Sequence, residues 1–452
     1  MKMIILKNIS TVYTFDDKDN VFTNCDILIE GSKIIKMGRN ILPDHECEEI
    51  NCTGLVALPG FVNTHHHLYQ SLFRGIKEVQ EQPLFPWLTK LYSYWKNINP
   101  EAVYYGAMVG FSELLRTGCT LTSDQHYVFP FDQPENLIDM EIEASRKIGI
   151  RFHATRGSMS LGKDKGGLPP ISVIQKEDKI LEDCNRLVDE YHDPKDFSMI
   201  RIAFAPCSPF SVTKDLMIET RKLARQLGVM MHTHLAETKD EERFCIEKYG
   251  RRPFELMEDI GWIGSDVWFA HGIYLNDREI SNLKGTGIAH CPSSNMKLGS
   301  GICRTTDIVK ASGKLSIAVD GSASNDGSNM WEEVKRAYLL NHLKYGNYGL
   351  SAYDILKIAT RGGADVLGRA DTGRLAVGKA ADIILFDLNK IEYAGCHDPL
   401  ISLVCLGNSC FTKMTIVNGE VVSMDGKILT IDCDKVFREA NKIAIHMLKK
   451  QS

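Results

Sequence analysis

Eight short apolar or β-rich runs recur along the middle of the chain, at 54–62, 119–123, 150–155, 200–205, 229–232, 267–270, 287–290 and 315–319. Helical patterns fill most of the gaps between them, among them 101–116, 214–227 and 240–259. Strands and helices alternating in this number predict a (β/α)8 TIM barrel, a fold whose functional groups sit at the C-terminal strand ends. A doubly wound open sheet shares the periodicity. It ranks second, because the chain contains neither a dinucleotide fingerprint nor a phosphate loop.

The two ends of the chain have another texture. Residues 2–57 alternate β-rich segments (3–6, 25–30, 33–37) with turns such as Glu30-Gly31-Ser32. Similar segments return at 383–386, 414–417 and 421–422, with Asn418-Gly419 as a hairpin signal. The expected organisation is a small β-sandwich domain built from both ends, 1–58 and 373–432, around a barrel at 59–372. The last segment, 433–452, carries an amphipathic helical pattern over 435–450.

Four predicted strand ends carry metal-compatible side chains. The first run leads into His65-His66-His67; residues i and i+2 share a strand face, so His65 and His67 point together and His66 faces elsewhere. By itself that triplet also fits a solvated turn or a surface cluster. The fifth run leads into His232-Thr233-His234, with Glu237 three residues on; the sixth ends at His271 and the eighth at Asp320-Gly321. His65, His67, His234 and Asp320 supply three imidazoles and a carboxylate, a set suited to a divalent ion that keeps one position for water. Water on such an ion is acidified to a pKa of about 7. Glu237 then suits proton transfer to a ring nitrogen and His271 suits orienting the attacking water. Asp320 suits taking that water's proton and delivering it to the leaving group.

Other features have plainer readings. His232 reads as a packed histidine rather than a ligand, His290 as structural beside a buried Cys291, and His45-Glu46-Cys47 as surface. Gly285-Thr286-Gly287 and Gly299-Ser300-Gly301 complete no phosphate-binding motif and read as turns. Over 452 residues, 44% are hydrophobic, 25% charged, and the net charge is −5. That balance advertises no nucleic-acid or membrane partner. The N-terminal apolar run is too short for a signal peptide, no stretch approaches transmembrane length, and thirteen cysteines without a CxxC pair suit a cytoplasmic enzyme with reduced thiols.

The run PGFVNTHHHLYQ, with HTHLAET, FAHG, HCPSSNMKLGSG and VDGSASNDGSN, resembles the amidohydrolase superfamily. Within it the chain is most similar to the aminohydrolase branch that contains guanine deaminase, 8-oxoguanine deaminase and the triazine hydrolases. The resemblance spans essentially the whole chain. PLFPWLTKLY at 83–92, TSDQHYVFP at 122–130, FHATRGSMS at 152–160 and APCSPFSVTK at 205–214 look like the 8-oxoguanine deaminase subgroup. The resemblance implies one Zn2+ per chain, with Fe2+ as the alternative, held by His65, His67, His234 and Asp320. It also implies acid/base roles for Glu237 and Asp320 and a water-orienting role for His271. Binuclear relatives bridge two metals with a carboxylated lysine after the fourth strand; Ala205-Pro206-Cys207-Ser208-Pro209 has none, which favours one metal.

For the substrate, Gln70 is similar in position to a glutamine that meets a lactam edge in guanine deaminase. Trp87 suits stacking on a flat ring, and Arg156 suits binding a carbonyl oxygen. Pro86 stands where nucleoside deaminases tend to carry an acid for the ribose, which favours a free base. The implied activity removes an exocyclic amino group as ammonia from a small-molecule heterocycle, 8-oxoguanine first, with isocytosine, a pterin, guanine or a hydroxytriazine behind it. The enzyme is expected to be a homo-oligomer. A catalytically inert amidohydrolase-like scaffold is the reading from another class, and it is disfavoured because no ligand is missing.

Overall fold

The computed structural model describes residues 2–406 and 411–449. Eight parallel strands form a nearly closed barrel: Phe61–Asn63, Cys119–Ser123, Arg151–Ser158, Ile200–Pro206, Met230–Leu235, Val267–His271, Gly287–His290 and Lys314–Ile317. Each pairs with its neighbours in chain order. The strands are buried along almost their whole length, because helices cover the outside and side chains fill the inside. Side chains help to close the ring between the first and eighth strands. Asn63 Oδ1 accepts from the Val319 N–H at 2.9 Å, and the Thr64 and Ser316 hydroxyls meet at 2.7 Å.

A second, mixed sheet of nine strands takes in both chain ends. Met3–Tyr13 pairs antiparallel with Val21–Glu30 and parallel with Leu55–Pro59, which pairs antiparallel with Ile383–Asp387. Asn418 and Gly419 turn a hairpin with φ of 54° and 80°, the left-handed pair that a two-residue type I′ loop requires. Arg151, at the start of the third barrel strand, ties the two sheets together. Its buried guanidinium donates to both Asp382 carboxylate oxygens, at 2.7 and 3.2 Å, and to Asn418 Oδ1 at 2.7 Å.

Two sequence patterns divide in the structure. The apolar run 54–62 serves both sheets, with Leu55–Pro59 in the mixed sheet and Phe61–Asn63 opening the barrel. The break falls at Gly60, where a Cβ would sit 2.0 Å from Thr120 Oγ1, so only glycine lets the chain pass. The helical pattern 240–259 splits into Lys239–Tyr249 and Pro253–Asp259. Gly250 ends the first helix in the left-handed region, φ 66°, and Pro253 starts the second. The closing helix, Cys433–Lys449, lies on Pro100–Arg116 and buries Val436, Ala440, Ile443 and Met447 at helical spacing. The last residue of the expected helix, Lys450, lies outside the described residues. Among the described residues no helix is long and apolar enough to cross a membrane.

Candidate active site

The C-terminal ends of the first, fifth, sixth and eighth barrel strands bring His65, His67, His234, His271 and Asp320 together. His67 Nε2 lies 3.1 Å from His234 Nε2 and 3.3 Å from Asp320 Oδ1, and His65 Nε2 lies 3.4 Å from the same oxygen. The strand ends are strained to achieve this. Ala236, His271 and Asp320 hold φ of 53°, 73° and 62°, left-handed values that non-glycine residues rarely adopt and that gather at functional sites. His66 faces away, with Nε2 2.9 Å from the Ser328 hydroxyl.

Hydrogen bonds on the far side of each ring decide which nitrogen faces the centre. His67 Nδ1 donates to the Gln125 carbonyl at 2.8 Å and His234 Nδ1 to the Cys207 carbonyl at 2.7 Å. His232 Nδ1 donates to the Trp268 carbonyl at 3.0 Å, so its Nε2 is an acceptor and takes the proton of His65 Nδ1 at 2.8 Å. All three inward Nε2 atoms are therefore lone pairs. Burial pushes the three imidazoles below their ordinary pKa, His67 to about 3, which keeps them neutral as ligands must be. Three lone pairs and a carboxylate converge with no proton among them, and among the described residues His65 Nε2 is buried without a hydrogen-bond partner. A cation relieves that arrangement, and the donor set fits zinc.

Glu237 and His271 stand beside this centre. Glu237 Oε2 is 3.6 Å from His271 Nε2, and its Oε1 accepts from the Ser300 hydroxyl at 3.4 Å. Burial lifts the Glu237 carboxyl above its ordinary value, against the pull of His271. For His271 burial acts the other way, yet Glu237 and Asp320 outweigh it and leave the imidazole above its ordinary value. Glu241 holds the turn that carries Glu237 by accepting the Ala236 and Glu237 N–H groups at 2.9 and 2.8 Å.

These groups form the floor of a cavity with at most about 370 Å3 of empty space. Leu84, Trp87 and Leu88, from the helix Leu84–Trp95, wall one side with Phe210 and Leu298. Gln70, Tyr127, Cys207 and Ser324 add polar atoms. Gln70 and Trp87 thus line the cavity, and among the described residues the Trp87 indole N–H is buried without a partner. Arg156 does not line the cavity. Its guanidinium donates to Asp183 at 2.5 Å, to Gln175 at 3.1 Å and to the Gly157 carbonyl, and stacks over Phe129. A carboxylate from the helix Glu177–Tyr191 has taken the side chain that a ligand carbonyl was expected to meet.

Several participants escape a reading of the sequence. Ser300, inside an apparent turn, reaches Glu237, and Asn295 Oδ1 accepts from His271 Nδ1 at 2.9 Å. Both follow the seventh strand, Asn295 in the short helix Pro292–Lys297 and Ser300 just beyond it, and the run HCPSSNMKLGSG at a strand end was the available signal. Tyr127 and Cys207 also lie just past strand ends, but neither has a ligand-like spacing. His232 is the packed histidine expected, and it orients His65.

A profile of the Amidohydrolase family matches residues 56–422. The chain is 44% identical over 409 residues to the 8-oxoguanine deaminase of Pseudomonas aeruginosa, covering 88% of this chain and 91% of that one. It is 36% identical over 447 residues to the hydroxydechloroatrazine ethylaminohydrolase of a Pseudomonas species, covering 95% and 92%. Among solved structures, an atrazine chlorohydrolase from Arthrobacter aurescens complexed with zinc superposes with a TM-score of 0.94 at 32% identity, covering 98% of this chain and 100% of that one.

Proposed function

The chain belongs to the amidohydrolase family, and from that premise we propose that this metal-dependent enzyme deaminates a free heterocyclic base, 8-oxoguanine, to urate and ammonia. The cavity carries the reading: a convergent set of three imidazole lone pairs and a carboxylate lies under a small apolar enclosure with Gln70 at its edge. The enclosure is narrow and walled by Leu84, Trp87, Leu88, Phe210 and Leu298, which suits a flat bicyclic base better than a nucleoside.

In this reading His65, His67, His234 and Asp320 hold zinc. Bound there, zinc supplies Lewis acidity and makes hydroxide available from water near neutral pH. Trp87 walls the base and Gln70 meets its lactam edge, so the amino-bearing carbon faces the histidine cluster. Glu237, its carboxyl lifted by burial, carries the first proton of the water to the ring nitrogen beside that carbon. His271 orients the attacking water and stabilises its charge. Asp320 takes the water's remaining proton and passes it to the leaving amine. One water is consumed and one ammonia released, with no change of oxidation state.

The test is ammonia release by zinc-loaded protein from a matched panel: 8-oxoguanine, guanine, isocytosine, isoxanthopterin, 2-hydroxyatrazine and S-adenosylhomocysteine. A dominant kcat/KM for 8-oxoguanine supports the assignment. Preference for another ring keeps the deaminase and discards the substrate; no turnover of any with zinc bound overturns the reading.

A further inference from the structure

We propose that Asp124, His126 and Glu141 form a buried proton-sharing network that positions the loop bearing His67 and Gln70. The three side chains are fully buried, and each offers an atom within 4.8 Å of the other two. His126 Nε2 faces the Val128 carbonyl oxygen at 3.0 Å, an acceptor only, so that nitrogen carries hydrogen. Its Nδ1 lies 3.0 Å from Glu141 Oε1. One proton must occupy that contact, whichever partner it is counted on. Among the described residues, no donor faces Asp124 Oδ2 or Glu141 Oε2, which are both buried. Two bare carboxylates in such surroundings repel one another and lack solvation. A second proton, shared between the two carboxyls, supplies the missing donor and leaves the network fully bonded. Burial and their mutual charge accordingly lift Asp124 well above the usual carboxylate range.

The other end of the network grips the histidine loop. Asp124 Oδ1 accepts from the Leu68 N–H at 2.6 Å. The next residue, Gln125, donates its N–H to the His66 carbonyl at 2.7 Å, and its own carbonyl takes the His67 Nδ1 proton at 2.8 Å. Residues 66–68 are thus clamped, one contact each, to the end of the second barrel strand. Gln70 lies in the short helix Leu68–Leu72 that starts there. Glu141 reaches in from the helix Leu137–Ile148, so the clamp has a rigid backing.

The inference rests on His67 being a zinc ligand, and the experiment separates the two. Zinc affinity is measured by chelator competition on the zinc-free wild type and on Glu141→Gln, Glu141→Ala, Asp124→Ala and His67→Ala, with the melting temperature of each zinc-free protein and the zinc content of each loaded one. A carboxamide donates to one neighbour and accepts from the other, so Glu141→Gln keeps wild-type affinity within about threefold. Losing a partner that orients a ligand costs about 10- to 100-fold, so the two alanine variants of the network fall by that much, while one zinc per chain binds throughout. Should one alanine variant fail to fold, the other still tests the positioning role, and Glu141→Gln separates a shared proton from a charged carboxylate. The proposal fails if Glu141→Gln weakens zinc as much as Glu141→Ala, if Glu141→Ala leaves zinc affinity unchanged, or if the wild type holds a second zinc that Glu141→Gln releases. An unchanged affinity in His67→Ala overturns the ligand assignment instead.

Discussion

Replacing Glu237 by glutamine tests proton transfer while leaving every zinc ligand in place. The side chain is almost fully buried, its Oε1 accepts from Ser300 at 3.4 Å and its backbone N–H is held by Glu241 at 2.8 Å. Glutamine has the same shape and retains an oxygen for Ser300, and the zinc ligands are untouched, so folding and metal content stay as they are. What it lacks is a transferable proton. General acid–base catalysis contributes about 10²- to 10⁴-fold, or about 2.7 to 5.4 kcal/mol at 1.36 kcal/mol per factor of ten. The proton moves only in the transition state, so the loss falls on kcat and kcat/KM together, with KM within about threefold. Steady-state ammonia release at matched zinc content, with single-turnover traces to exclude slow product release, measures it. A fall in kcat of less than tenfold, or a rise confined to KM, refutes the assigned role.

Gln70→Ala should lower kcat/KM most for bases with a lactam edge, and an unchanged ranking across the panel would remove Gln70 from recognition. Arg151→Met should cost about 3 to 5 kcal/mol in urea unfolding, because it leaves the Asp382 carboxylate buried opposite a methyl group; a loss below about 1 kcal/mol would mean the two sheets do not depend on that tie. Glu333, pushed up to about 7 by burial despite its bonds from Ser293, keeps a proton in the folded state that an unfolded carboxyl with pKa 4.5 releases. The folded state therefore binds more protons between those values, and wild-type stability relative to Glu333→Gln should fall as the pH rises from about 4.5 to about 7. Parallel denaturation curves at pH 5 and pH 7.5 would contradict this.

The sequence by itself determined the barrel's eight strands and which of their ends carry the metal-compatible donors. Both are local patterns: an apolar run written between two helical ones, and the two-residue period that puts His65 and His67 on one face while His66 turns to Ser328. It also determined that both chain ends are β-rich, with Asn418-Gly419 written at their hairpin. Tertiary structure alone decided the rest, because the deciding partners lie far away in the chain. Gly60 splits one apolar run between two sheets because of Thr120, and nothing within the run marks the break. Arg156 reads as a ligand-binding cation until Asp183, on a helix over the outside of the barrel, claims it. The inward lone pairs of His67 and His234 depend on carbonyls of Gln125 and Cys207, 58 and 27 residues away, and that of His65 on a histidine 167 residues away. Side-chain identity tells which groups can bind a metal. Their tautomers, and so their readiness to bind one, follow from backbone acceptors that only the closed barrel brings within reach.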